Sequence, residues 1–562
     1  MTGIDLSIVV VYLIGIMAIG ILVGYRKKTS SEQFFLAGRS LRWPMIGAAL
    51  FTANISTIHL VGLAADGFRI GLVVGNFEWM AAVTIILLSL IFVPYYIKAG
   101  ISTLPEFVEK RYNGTCRIIM AFVTIASALL IHIGVSMYAG AKVFEYFFDI
   151  PLLLSVVVIG VVTAIYTTLG GLRAIVVTDT IQAAVLLTGC VLLTALGVIQ
   201  LGEIGIHSLD DLRVAAKPDQ LSMVHPVKTA IGTNNEYSWL TVMVGYYVLG
   251  IWYWCTDQTI VQKVLGAKTL RDAQLGALFA SALKLLPLFF MVLPGVIAYV
   301  LFSEQITDPN DTLNVLIDNL LPIGLKGLFA AGLLAAVMST VESALNSIAT
   351  LTSEDIVARL RPEVSDRSLV LIGRITAWIV IVLAMLWSPF AGQFESIFVA
   401  INKIPLLFAP AVTCIFLMGV LWARGTHQAA LTTLIVGFAI GLPYFLLDMP
   451  RSIPVADIQH LVSSGHVEVD RIVDANVVNY RMISDGWDLP FMMVGMILFA
   501  ICFSVYVVVS LMTPAPQNDI QKLQLDSPFK AIFSRPLEGR GDPRVFAGLL
   551  IVLIVSLYVV FR

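Results

Sequence analysis

The chain has 562 residues, of which 58% are hydrophobic and 13% charged. Soluble domains carry about 25% charged residues, so a water-soluble globular protein is excluded. The formal net charge of −2 gives no basis for a nucleic-acid partner. Mean hydropathy is +0.90. Apolar runs of about 20 residues recur from end to end, each long enough to cross a bilayer, so the chain reads as an all-α polytopic membrane protein.

The first apolar run, Leu6–Gly24, is too long for a signal-peptide core. Tyr25-Arg26-Lys27-Lys28 follows it with no small-residue cleavage pattern, which predicts a retained first helix. Fourteen spans are predicted, at 5–24, 43–66, 71–97, 118–147, 151–169, 174–201, 238–256, 270–302, 324–358, 368–388, 394–422, 427–447, 489–512 and 543–561. In the eleventh, Asn402, Lys403 and Pro405 interrupt the run. The organisation reads as a first helix and linker at 1–42, a ten-span core at 43–422 and three further helices at 423–562. The last part includes an external loop at 448–488 and a cytoplasmic loop at 513–542.

Basic residues set the orientation. Alternate connections and their flanks, starting with 25–42, collect 22 of the 35 Lys and Arg. The long connections 202–237, 303–323 and 448–488 carry few. The positive-inside rule then puts both termini outside. The five cysteines fall in or beside apolar segments without metal-ligand spacing and read as small core residues. No Gly-Lys-Ser/Thr phosphate loop is present, so ATP-driven transport within this chain is not expected, nor is enzymatic chemistry.

The most informative local feature is Asn54-Ile55-Ser56-Thr57, inside the second span. Asn, Ser and Thr side chains compete with helix backbone bonds, and unwound backbone survives at membrane depth only where protein or a water-filled cavity satisfies it. Transporters hold solutes and cations at such breaks. A polar kink in a packed bundle is the plainer alternative. The seventh span narrows to Gly250-Ile251-Trp252-Tyr253-Trp254, five spans later, the spacing of corresponding broken helices in a five-plus-five inverted repeat.

Charges inside spans mark function or interhelical ion pairs. Glu78, Asp257, Lys284, Glu342 and Lys403 are such charges. Aromatic rings beside Asn, His, Glu and Lys suit a polyol: ring faces cover C–H groups while polar groups divide the hydroxyls. An interfacial aromatic belt is the alternative. Ser339 and Thr340 offer two neutral oxygens, and an unwound second span offers the carbonyls of Thr52 and Ile55, a ligand set suited to a hard cation such as Na⁺.

Several stretches then occur in one order. They are Phe34-Phe35-Leu36-Ala37-Gly38-Arg39, Ala53-Asn54-Ile55-Ser56, Glu78-Trp79, Leu104-Pro105-Glu106-Phe107, Gly170-Gly171-Leu172 with Thr178-Asp179, Trp252-Tyr253-Trp254-Cys255-Thr256-Asp257-Gln258 and Leu345-Asn346-Ser347. With these the chain resembles the sodium/solute symporters, in particular the sodium–glucose cotransporters. The resemblance implies a LeuT-type fold: ten core helices in two inverted halves, one helix before and three after. It implies a sugar site at Asn54, His59, Glu78, Lys284, Tyr253 (an aromatic gate), Trp254 and Asn402, the last standing where a Gln is usual. It implies Na⁺ ligands at Thr52 and Ile55 (backbone), Ala336 (backbone), Ser339 and Thr340 (side chains), with Asp179 accessory. Glu342 departs from the pattern, as a second cation ligand, a proton carrier or an ion-pair partner.

The expectation is a secondary active symporter in the cell membrane that moves a sugar or inositol inward with Na⁺. The alternatives are a carboxylate or amino-acid-type solute, a solute-gated channel, or a membrane sensor. A carboxylate would favour an Arg or a free helix N-terminus over Glu78, which ranks polyols first.

Overall fold

The computed structural model describes residues 2–24, 30–227, 237–393, 403–459, 472–474, 477–516, 532–533, 539 and 541–562. Ten of its helices are long and apolar enough to cross a membrane, and a bent pair makes an eleventh span. The main helices in chain order, shorter ones between the spans included, begin with α1 (Gly3–Gly24), the bent pair α2 (Trp43–Asn54) and α3 (Thr57–Arg69), α4 (Leu72–Ala99), α5 (Gly114–Phe148) and α6 (Leu152–Glu203). Then come α7 (241–256), α8 (Gln258–Leu265), α9 (Leu270–Phe302), α10 (Leu325–Leu360) and α11 (Asp366–Phe390). The last four are α12 (Ala409–Leu421), α13 (His427–Leu447), α14 (Phe491–Met512) and α15 (Pro543–Val560).

Helix α6 is 52 residues long, about 78 Å at 1.5 Å per residue and far beyond one bilayer crossing. Gly171 divides it, with φ 60° and ψ −171°, between the two spans expected at 151–169 and 174–201. That backbone region is essentially restricted to glycine. A Cβ at Gly171 would also lie 2.6 Å from the carbonyl oxygen of Phe34. Gly171→Ala is therefore expected to cost several kcal/mol and to cut the yield of folded protein severely, as read by detergent-extracted monodisperse material.

The bend between α2 and α3 is 64°. Ile55 and Ser56 are extended at the break, with ψ 109° and 169°. The two halves leave toward different neighbours. Helix α2 packs on α6 and on the first half of α9, whereas α3 packs on the second half of α9. Small residues permit that contact: a Cβ at Gly295 would lie 2.1 Å from the carbonyl oxygen of Ala64. Helix α10 is the centre of the bundle, with 94% of its apolar window buried, while α15 has 11% buried and keeps an apolar outer surface.

The second break differs from expectation. Trp252–Thr256 stays helical as a wide π turn, and the extended residue is Asp257, with φ −87° and ψ 126°. Asp257 accepts a hydrogen bond from the Thr259 amide at 2.7 Å, capping α8. An Asp side chain that can start a new helix breaks the span more effectively than Gly250 upstream.

The expected external loop holds the strands described. Arg451–Pro454 (β1), Ile472–Asp474 (β2) and Val477–Tyr480 (β3) form an antiparallel sheet ordered β1-β3-β2. All five cysteines are free and buried.

Candidate functional site

The break between α2 and α3 opens onto a cavity with about 110 Å³ of room for the centres of water-sized atoms. A cavity needs only about 10–15 Å³ of such room to hold one water, so this one has room for several waters or a small solute. Asn54, Ser56, His59, Glu78, Tyr253, Trp254, Lys284 and Thr340 line it. Six of the seven predicted sugar-site residues thus meet in one place. The seventh, Asn402, lies outside the described residues.

Each charged group has a local reason for its position. Lys284 ends the first helical stretch of α9, and its amide donates to the carbonyl of Ala280 at 2.9 Å. Its ammonium is fully buried and donates to Glu78 Oε2 at 2.5 Å and to Asn54 Oδ1. It also lies 5.4 Å from the centroid of the Trp254 ring. An ammonium has three protons, so this geometry leaves one for a third acceptor. Glu78 sits in the first turn after Asn76, where a negative charge is favoured by the helix dipole. His59 closes the cap of α3: its Nδ1 accepts from the Ser56 amide at 3.3 Å. The two adjacent aromatics divide their tasks. Trp254 offers its ring to Lys284, while Tyr253 packs edge-on to Trp254, with centroids 5.1 Å apart.

The cation candidates lie at the C-terminal end of α2. The amide of Ser56 goes to His59 Nδ1, and the amide of His59 goes to the carbonyl of Ser56. The carbonyls of Thr52 and Ile55 therefore lack the usual partner four residues on. A helix C-terminus presents such orphan carbonyls and the negative end of the dipole. Helix α10 faces this end with Thr340, whose hydroxyl donates to the carbonyls of Ala336 at 3.1 Å and Ala53 at 3.3 Å. Ser339 donates to Asp179 Oδ1, leaving its lone pairs free. Neutral hydroxyls and carbonyls beside one carboxylate form the all-oxygen set that hard cations take. The Thr52 side chain is itself committed, donating to the carbonyls of Ala48 at 2.8 Å and Asp179 at 3.3 Å.

Behind this set lies a second group of charges. Lys263 is buried; it donates to Ser343 Oγ at 2.6 Å and stands 3.5 Å from Asp179 Oδ2. Glu342 is fully buried and accepts from Thr178 at 3.1 Å. Among the described residues it forms no salt bridge, because the nearby lysine goes to Asp179. Lys403 does not line the cavity either; it pairs with Asp448 at 2.5 Å, and Asp448 in turn caps the Ile483–Ser484 backbone.

Sequence reasoning did not single out His132, Ser136, Tyr246 or Lys263. His132 and Ser136 stand on α5 and line the cavity with Tyr246 and Trp252. The available signal was a lone His within the apolar run 128–135.

Comparisons with known proteins agree with this geometry. The profile of the sodium:solute symporter family matches residues 34–437. The sodium/myo-inositol cotransporter of Mus musculus is 31% identical over 554 residues, 92% of this chain and 74% of that protein. Sodium/glucose cotransporter 1 of Mus musculus is 33% identical over 482 residues, 79% and 72% of the two chains. Among solved structures, a substrate-bound outward-open Na⁺-coupled sialic acid symporter aligns with TM-score 0.73 at 18% identity, covering 92% of this chain and 99% of that one. A nucleobase-cation-symport-1 family transporter in a closed conformation aligns with TM-score 0.52 at 15% identity, covering 87% and 96%. The broken helix, its polar cavity and these alignments lead to one conclusion: the chain belongs to the sodium:solute symporter family, with the LeuT-type fold of a multi-pass membrane transporter.

Proposed function

We propose that this protein carries a sugar or an inositol into the cell together with Na⁺. The observation that carries the reading is the Asn54–Lys284–Glu78 group, buried at the break of α2 and α3 inside a cavity walled by aromatic rings. Glu78 accepts and Lys284 donates, so hydroxyls of a polyol can replace part of their mutual bonding while Tyr253 covers a C–H face. Two similar proteins are named for glucose and myo-inositol. A cation at Thr52, Ile55, Ala336, Ser339 and Thr340 bridges the end of α2 to α10 and so stabilises the bend on which Asn54 sits, with Asp179 assisting its release. Thr340 lines the solute cavity and also bonds to the α2 end, which joins the two sites physically. Each Na⁺ crossing 100 mV gains about 2.3 kcal/mol, enough for roughly a fifty-fold solute gradient before its own concentration gradient is added.

The core of the machine is 43–422, preceded by one helix and followed by three, with both termini outside; the distribution of Lys and Arg supports that orientation. Uptake into proteoliposomes of labelled sugars, inositols and carboxylates, with and without a Na⁺ gradient, tests the reading. Accumulation of a polyol above equilibrium only with Na⁺ is expected. Uptake confined to carboxylates, or flux that never exceeds equilibrium, would overturn it.

Glu342 is proposed as a second cation ligand. Asp179 takes the ammonium of Lys263, and Oε1 of buried Glu342 has no hydrogen-bond partner among the described residues, which makes it an oxygen that a transported cation can use. Glu342→Ala is expected to lower by about one the charges moved per solute, measured from reversal potentials in liposomes. An unchanged ratio with lost thermal stability would return Glu342 to a structural role.

A further inference from the structure

A polar pair at the cavity wall, His132 on α5 and Asp257 behind it, has no part in the proposed function. Helix α5 runs through a wide π turn at Ala128–Val135, a device that often re-aims side chains at functional sites. It delivers His132 to the cavity wall, 8% exposed, with its ring centroid 5.7 Å from that of Tyr253. Nε2 of His132 lies 3.4 Å from Oδ2 of Asp257, the residue that breaks the seventh span. That Nε2 is shut off from the cavity and makes no hydrogen bond within normal distance. The ring nitrogen left within reach of a solute is Nδ1.

The chemistry of this pair fixes a role. A carboxylate attracts an N–H, so the 3.4 Å approach of Asp257 favours the neutral-ring tautomer whose proton sits on the nitrogen facing it. Nδ1 is then a lone-pair acceptor. Asp257 is itself held: it is 2% exposed and its Oδ1 accepts from the Thr259 amide at 2.7 Å. Tyr253 stands beside His132, and Ile131 and Ser136 of the same helix as His132 also line the wall. We propose that His132, held in one tautomer by Asp257, accepts a hydrogen bond from a solute hydroxyl through Nδ1 and so sets which hydroxyl pattern is transported. Asp257 acts through His132 as a positioning residue. The proposal rests on the polyol reading of the cavity.

The test is Na⁺-driven uptake by the full-length protein in proteoliposomes, with a transported polyol and its single-deoxy analogues as probes. One deoxy position is expected to weaken the apparent solute constant of the wild type by about three- to tenfold through loss of this bond. In His132→Ala the parent polyol should weaken by a similar factor, and the penalty at that position should vanish while the penalties at other positions persist. His132→Phe keeps the ring volume and should behave the same way, which covers the case in which the Ala variant folds poorly. His132→Gln restores an acceptor and should recover part of the penalty. Asp257→Asn still caps Thr259 and should shrink the penalty at that same position. Retention of every deoxy penalty in both the Ala and the Phe variants would overturn the proposal, since a merely structural His132 predicts that result. If the wild type takes up no polyol at all, the polyol reading fails first and this proposal falls with it.

Discussion

Lys284→Ala is expected to reduce Na⁺-driven uptake at least tenfold while the protein still inserts in the membrane. The ammonium is fully buried and Glu78 is 4% exposed, so each is the other's main source of compensation. Removing one member of such a pair strands the other in a low dielectric, at a cost of about 3–5 kcal/mol. Part of that cost falls on stability and part on affinity, because hydrogen bonds to charged groups contribute about 1.5–3 kcal/mol each. Glu78→Gln strands Lys284 in the same way, although Asn54 still accepts from it. Tyr253→Ala removes the ring that covers the solute and should raise the apparent solute constant without stranding a charge. The double variant Glu78→Gln with Lys284→Gln should recover thermal stability relative to Lys284→Ala and recover no transport. That split separates a binding role from a purely structural one. Normal transport by all three single variants would place the solute elsewhere.

Ser339→Ala combined with Thr340→Ala is expected to abolish gradient-driven accumulation. The pair supplies two of about five proposed cation oxygens, and hard cations depend on such oxygens. Thr340 has a second duty, since its hydroxyl also reaches the carbonyl of Ala53. Its loss should loosen the end of α2 and with it Asn54. Ser339 donates to Asp179, so its loss also removes one hydrogen bond from that carboxylate, which Lys263 approaches at 3.5 Å. Equilibrium solute binding at saturating Na⁺ should suffer less than accumulation, because the solute's own contacts remain. Titration of Na⁺ against solute binding measures the difference. A double variant with wild-type Na⁺ affinity would refute the ligand assignment.

The sequence by itself determined the membrane class, most helix positions and the place of the first break. These properties follow from local composition. A run of apolar side chains must leave water wherever it lies in the chain, and Asn54-Ile55-Ser56 carries its own reasons to unwind. The motifs spread over residues 34–347 sufficed to place the chain in its family before any contact was known. Glu78 and Lys284 were legible because charges inside apolar spans stand out, whereas the full solute set followed from the resemblance to the family.

Tertiary structure decided how those charges pair. Glu78 and Lys284 are 206 residues apart and bond at 2.5 Å, while Lys403, an equally conspicuous charge, is taken by Asp448 and lies off the cavity wall. Periodicity along one helix carries no information about which helix faces it. The partner of Asp179 was hidden likewise: Lys263 lies on α8, after the second break at Asp257, and packing brings it 3.5 Å from a carboxylate 84 residues away. For Glu342 the sequence left a cation ligand, a proton carrier and an ion-pair partner open, and the fold gives the nearby lysine to Asp179. His132 went unnoticed because a single His in an apolar run has no meaning until Asp257 and the cavity are brought beside it. Packing brings side chains from distant spans within a few ångströms of one another, and only that juxtaposition makes a polar residue part of a site.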